Sequence, residues 1–139
     1  MIFLQVKELS KRNGERTAVE AISFSMQAGQ NIAIAGETGS GKTTLLKMIG
    51  GLIQPDSGEV LFEEKKVAGP LEQLIPGHHF IAYLSQHFEL RNNYAVHELL
   101  EMASKIEEAE AQKIFSVCQI EHLLHRRTNE LSGGEKQRI

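Results

Sequence analysis

The segment Asn31-Ile32-Ala33-Ile34-Ala35-Gly36-Glu37-Thr38-Gly39-Ser40-Gly41-Lys42-Thr43-Thr44 carries three signals one after another. Asn31 to Ala35 is short, apolar and continuous, which predicts a buried parallel strand. Gly36 to Thr43 fits the spacing G-x-x-x-x-G-K-S/T, and each residue type there has a mechanical reason. Gly36, Gly39 and Gly41 let the backbone turn tightly, so that successive N–H groups from Gly39 to Thr43 can surround an anion with no side chain in the way. A helix predicted to begin near Lys42 adds the positive end of its dipole and its unpaired first-turn donors. Lys42 is placed to reach the outer phosphates of a polyphosphate, and the Thr43 hydroxyl to ligate Mg²⁺. Leu45, Ile49 and Leu52 then recur at i, i+4 and i+7 with Leu46 and Ile53 beside them, so this apolar stripe is expected to end near Pro55-Asp56-Ser57-Gly58.

The chain has 139 residues, enough for one domain with a modest core. Hydrophobic content of 41% and charged content of 24% are ordinary for a globular protein. The net charge of -3 gives no general attraction to nucleic acid, and no nucleic-acid partner is expected; Lys11-Arg12 and Arg126-Arg127 read as solvated surface. No stretch approaches the roughly 18 to 20 apolar residues of a membrane span, and the start Met1 to Lys7 lacks the pattern of a signal peptide. Cys118 is the single cysteine, so no intrachain disulfide is expected and a cytoplasmic location is the default. Ala111, Ile114, Phe115 and Cys118 share a helical face, which predicts Cys118 as a small buried residue. The six histidines have no metal-ligand spacing and read as surface or packing residues.

Ile2, Leu4 and Val6 alternate with Phe3, Gln5 and Lys7, and Ile22, Phe24 and Met26 alternate with Ser23, Ser25 and Gln27, predicting half-buried antiparallel strands. Asn13-Gly14 marks the turn between them, and Glu59 to Phe62 is a further short strand. Lys65 to His79, with Gly69-Pro70 and Pro76-Gly77, is expected to be mostly loop. Phe80 to Leu84 is expected to be a strand. From about Tyr94 the period becomes helical, with Val96, Leu99, Leu100 and Ala103 on one face, then a second helix from about Glu107 to Cys118. His125 to Glu130 read as a polar linker.

Leu131-Ser132-Gly133-Gly134-Glu135 follows. Ser132 is predicted to be an N-cap with Glu135 at the third helical position, a capping box on a helix continuing through Lys136 to Ile139. The two glycines leave the first-turn N–H groups open to an anion. Taken in order, GETGSGKT, Gln86 in Leu84-Ser85-Gln86 and LSGGEKQRI resemble the Walker A loop, the Q-loop and the signature motif of ABC-type ATP-binding proteins, and the resemblance covers the whole chain.

That resemblance implies an α/β P-loop NTPase (RecA-like) core, with an N-terminal antiparallel β subdomain, a helical subdomain and the C-terminal half of the core absent. The implied layout is 1–86 for the β subdomain and Walker A core, 87–130 for the helical subdomain, and 131–139 for the signature motif and the start of its helix. ATP and Mg²⁺ are the implied cofactors. Gly36, Glu37, Thr38, Gly39, Ser40, Gly41, Lys42, Thr43 and Thr44 would hold the phosphates, with Thr43 and Gln86 at the metal and Lys42 and Gln86 in the catalytic role. Leu131, Ser132, Gly133, Gly134 and Glu135 would face the γ-phosphate held by a second ATP-binding subunit packed head to tail. A transmembrane permease subunit would dock through the region from Gln86 to Ala95, with Phe88 and Leu90 as contact points or, equally, as packing residues. The implied protein is the ATP-binding subunit of a transporter, peripheral on the inner face of the cell membrane, with import favoured over export. A soluble ABC ATPase of translation or DNA repair is the alternative, and a nucleotide-binding module without turnover a third.

Two departures from the family pattern matter. Leu9-Ser10-Lys11-Arg12-Asn13-Gly14 offers no aromatic residue where relatives often stack the adenine, so adenine affinity is expected to be weaker unless Arg12 or Asn13 takes that place. The family also places the Walker B Asp, its adjoining catalytic Glu, the loop completing the dimer contact and the switch His after the signature helix, beyond Ile139. The chain is therefore expected to be part of a longer protein, to bind ATP but hydrolyse it very slowly, and to carry unpaired strand edges and an incomplete core.

Overall fold

The computed structural model describes residues 2–85, 90–103 and 106–139. They fall into two compact units, Met1–Tyr83 and Leu84–Ile139.

The first unit is built on a sheet. Strands β1 (Ile2–Asn13) and β2 (Arg16–Gln27) form a hairpin, and β3 (Ser57–Phe62) and β4 (Lys65–Lys66) complete the order β2-β1-β3-β4. Every pairing in it is antiparallel. Asn13 pairs with Arg16 across the two-residue loop, where Gly14 takes φ 60, as the Asn-Gly signal requires. Simple alternation would put Leu9 on the solvent face if Leu4 and Val6 face inward. All three are nevertheless buried, because the register shifts between Val6 and Leu9 while Glu8 takes φ 47. Ser23 Oγ accepts from the Glu8 N–H at 2.8 Å, and Ser10 Oγ accepts from the Ala21 N–H at 2.8 Å, so serines satisfy donors that the irregular ladder leaves unpaired. Asp56 ties the start of β3 to β1, accepting from Lys11 Nζ at 2.6 Å and from the Arg12 N–H at 2.8 Å; these contacts hold its carboxyl below the usual range.

Helix α1 (Lys42–Ile49) covers the sheet with Leu45, Met48 and Ile49. These pack with Leu4, Val6, Leu9, Val19, Val60, Phe62 and Val67 as one core. Leu52 and Ile53 lie beyond the helix, which stops at the glycine pair Gly50-Gly51. Gly51 takes φ 72, its N–H bonds Met48 O at 3.0 Å and the Leu52 N–H bonds Lys47 O at 2.8 Å, the double closure of a Schellman end.

Two predicted strands are absent. Residues 31–35 and 80–84 are in no ladder, and Ile32, Phe80 and Leu84 are 41%, 80% and 78% exposed. A parallel strand exists only where a neighbour takes its N–H and C=O groups, and among the described residues no strand lies alongside either run.

In the second unit, helices α2 (Val96–Ala103) and α3 (Glu108–Cys118) precede 3-10 turns at Glu121–Leu123 and Thr128–Glu130 and a last helix, α4 (Gly133–Arg138). Val96, Ile120, Leu123 and Leu131 form its core, with Leu90, Leu100, Phe115 and Cys118 packed against them. Ala103 is exposed and Cys118 only half-buried, since α3 lies over the edge of this small core with Ile114 45% exposed. Residues 125–130 are polar and, Thr128 apart, exposed as expected, but hydrogen bonds tie them to the rest of the unit. Val96 N–H donates to Arg126 O, Thr128 N–H to Tyr94 O, and the buried Thr128 gives its hydroxyl to Arg91 O at 2.7 Å.

Candidate functional site

The glycine loop lies directly on β2. Gly39 and Gly41 take φ 83 and 88, and a Cβ on Gly41 would stand 1.9 Å from Ala18 O. Only glycine combines that left-handed backbone with so close an approach. Arg16, at the start of β2, donates from Nη2 to Gly39 O at 3.2 Å and so fixes the loop from outside. Ser40 N–H bonds Glu37 O at 3.2 Å inside the loop, while Glu37 and Thr38 themselves are exposed.

Lys42 reaches back over this loop. Its Nζ donates to Gly36 O at 2.8 Å, Glu37 O at 2.6 Å and Ser40 Oγ at 3.3 Å. No carboxylate among the described residues pairs with it. Among the described residues its charge is thus met only by neutral dipoles. No backbone carbonyl among the described residues accepts from the N–H of Gly39, Gly41, Lys42, Thr43 or Thr44, whereas Leu45 N–H already bonds Gly41 O at 2.9 Å. A fixed cation and a run of uncommitted amides at the head of α1 suit a polyphosphate. Beside them a cleft of about 220 Å³ is lined by Asn13, Arg16, Ala18, Lys42, Thr43 and Thr44 among others. Thr43, exposed there, is the hydroxyl next to the lysine that a Mg²⁺ ion could use.

Arg12 is elsewhere: its N–H is spent on Asp56 and its side chain lies 3.5 Å from Glu15 O. Asn13 and Arg16 line the cleft instead. Arg16 was missed in the sequence, although the Asn13-Gly14 turn makes it the cross-strand partner of Asn13.

At the second glycine motif the capping box forms. Ser132 Oγ accepts from the Glu135 N–H at 3.3 Å and Glu135 Oε2 accepts from the Ser132 N–H at 2.7 Å. Hydrogen bonds from Ser132, helped by the charges of Arg126 and Arg138, hold the Glu135 carboxyl below the usual glutamate range. Arg126, exposed as expected of a surface residue, bonds Glu135 Oε1 at 3.1 Å and Glu130 O at 2.7 Å. Leu131 is buried as the anchor, and a Cβ on Gly133 or Gly134 would meet nothing within 4 Å, so this end of α4 faces open space. Gln86 and Phe88 lie outside the described residues. Leu90 packs on the core of its own unit. Among the described residues no helix is long and apolar enough to cross a membrane.

A family model described as ABC transporter matches residues 19–139. A spermidine/putrescine import ATP-binding protein, PotA, of Nitrosomonas europaea is 35% identical over 144 residues, covering 100% of this chain and 39% of that protein. The molybdate/tungstate import ATP-binding protein WtpC of Pyrococcus horikoshii is 35% identical over 144 residues, covering 99% of this chain and 40% of its own length. The chain thus spans about two fifths of the curated relatives it matches. A solved ATP-binding subunit of an ABC transporter superposes with a TM-score of 0.79 at 27% identity, over 98% of this chain and 58% of that one. The sheet, glycine loop and α1 are therefore part of a P-loop NTPase fold of the cassette type. With a family model covering it from residue 19 to residue 139, the chain belongs to the ABC transporter family.

Proposed function

We propose that this chain is part of the ATP-binding subunit of an ABC importer, and that residues 36–44 hold the phosphates of Mg-ATP. The observation that carries the reading is the Lys42 ammonium, held over the loop by Gly36 O, Glu37 O and Ser40 Oγ without a carboxylate partner beside it among the described residues. Lys42 trades those neutral acceptors for phosphate oxygens, a stronger charge-assisted contact. The amides of Gly39 and of Gly41 to Thr44 wrap the same group, and Thr43 and Gln86 hold the metal. A Mg²⁺ ion held there would offset the charge of the phosphates.

Ser132, Gly133 and Gly134 present the second helix start to the γ-phosphate held by a partner ATP-binding subunit packed head to tail. Leu131, anchored in its core, and the Glu135 capping box keep that start in register. Binding draws two subunits together and hydrolysis releases them, since the shared phosphate favours the closed pair only while it is intact. A permease subunit docks through the region from Gln86 to Ala95, which places the protein on the inner face of the cell membrane. Import over export is supported by the printed functions of both relatives.

Affinity purification of the full-length protein from membranes tests this reading. Recovery with an integral-membrane partner is expected. Exclusive recovery with ribosomes or DNA would favour a soluble ABC ATPase instead.

A further inference from the structure

We infer that the helical unit has a ligand site of its own, a cavity between α2 and α3 that takes a small organic cation with an apolar body. The cavity holds about 400 Å³ and shares no residue with either glycine motif. That volume falls in the range of small-molecule sites, roughly 300–1,000 Å³. Its walls are apolar, formed by Leu100, Ile106, Phe115 and Leu124. Leu100, Phe115 and Leu124 also pack on Val96, Ile120, Leu123 and Leu131, so the core of the unit sets the shape of the walls.

The charge of the guest follows from the polar groups. Glu101 on α2 and Glu108 on α3 line the cavity, one from each helix. Neither has an ion-pair partner among the described residues. His97 adds a third acceptor. Its Nδ1 lies 2.9 Å from Leu124 O, and a carbonyl only accepts, so the proton of the neutral ring sits on Nδ1 and Nε2 keeps its lone pair. The Gln112 amide can turn to either role. A carboxylate guest is repelled by this set, and a neutral one leaves both glutamates without a counter-ion. An ammonium donates to them while its carbon body lies on the apolar walls, and Phe115 adds the aromatic surface that cations favour.

The test is an NMR titration of the chain with hexylammonium, hexanol and hexanoate, probes of one length that differ in charge. Hexylammonium is expected to saturate with a dissociation constant on the order of 1 mM, ordinary for so small a ligand, and to shift the amide signals of Leu100, Ala111 and Phe115. Hexanol and hexanoate should bind at least about tenfold more weakly, for want of a charge-assisted hydrogen bond. Glu101→Gln with Glu108→Gln should weaken hexylammonium by about the same factor and bring it level with hexanol. Both glutamates are exposed, so the variant should fold; circular dichroism checks this, and the comparison of the three probes on the parent stands without it. Glu107→Gln with Glu110→Gln removes equal charge beside the cavity and should change nothing. Hexanol binding as well as hexylammonium overturns the inference, as does equal weakening by the two double variants, which would mean attraction by net charge alone. Hexylammonium affinity that falls as protein concentration rises overturns it too, since a second copy would then fill the cavity. Mg-ATP binding at residues 36–44 is untouched by any of these outcomes, because the two sites have no residue in common.

Discussion

Gly41 joins two constraints that differ in how visible they are. Its place in G-x-x-x-x-G-K-S/T is plain in the sequence, and so is its need for positive φ. Its approach to Ala18 O is not, because that contact exists only once β2 is beneath the loop. Gly41→Ala should cost about 1–2 kcal/mol for the left-handed backbone and ~1–3 kcal/mol for forcing loop and strand apart. A melting-temperature drop of several degrees is the expected readout, and an unshifted melt would refute the contact. Arg16 was legible in principle, since a two-residue turn after Asn13 dictates its position. Arg126 was not: a pair of arginines before a glycine motif reads as surface, and only the folded turn brings the guanidinium to Glu135.

Helix α4 is the element the sequence described best, because a capping box is local and needs no distant partner. Ser132→Ala should destabilise it by about 1 kcal/mol, measured as faster amide exchange at Glu135. The acid response has a definite sign. Glu135 has its folded carboxyl lowered, so its contribution is complete above the ordinary glutamate value and disappears as pH falls through the lowered one. Protection of the Ser132 amide should therefore fade in acid, and protection that rises there would contradict the cap. The turn at Thr128–Glu130 was hidden by its polar composition. Thr128 is buried because its hydroxyl finds Arg91 O, and Thr128→Val should cost about 1–3 kcal/mol by orphaning that carbonyl. A variant as stable as the parent would argue against this bond. Runs 31–35 and 80–84 failed in the opposite way: apolar composition was read correctly as strand-like, but a strand is made by its neighbours.

At the scale of the whole molecule, the sheet unit buries ten of the described residues in one core yet exposes Leu71, Leu74, Ile75 and Phe80 by 78% or more. Apolar surface of that kind drives association. Light scattering should find oligomers of the chain, and Leu74→Glu with Ile75→Lys should raise the monomer fraction; no change would show that this surface is not what associates. The central claim is that the loop at the head of α1 holds nucleotide phosphates through Lys42. Calorimetric titration of Mg-ATP into the chain and into Lys42→Ala tests it most directly. Saturable binding by the parent is predicted, weakened at least about tenfold in the variant by loss of one charged hydrogen-bonding group. Equal affinity in the two would contradict the account.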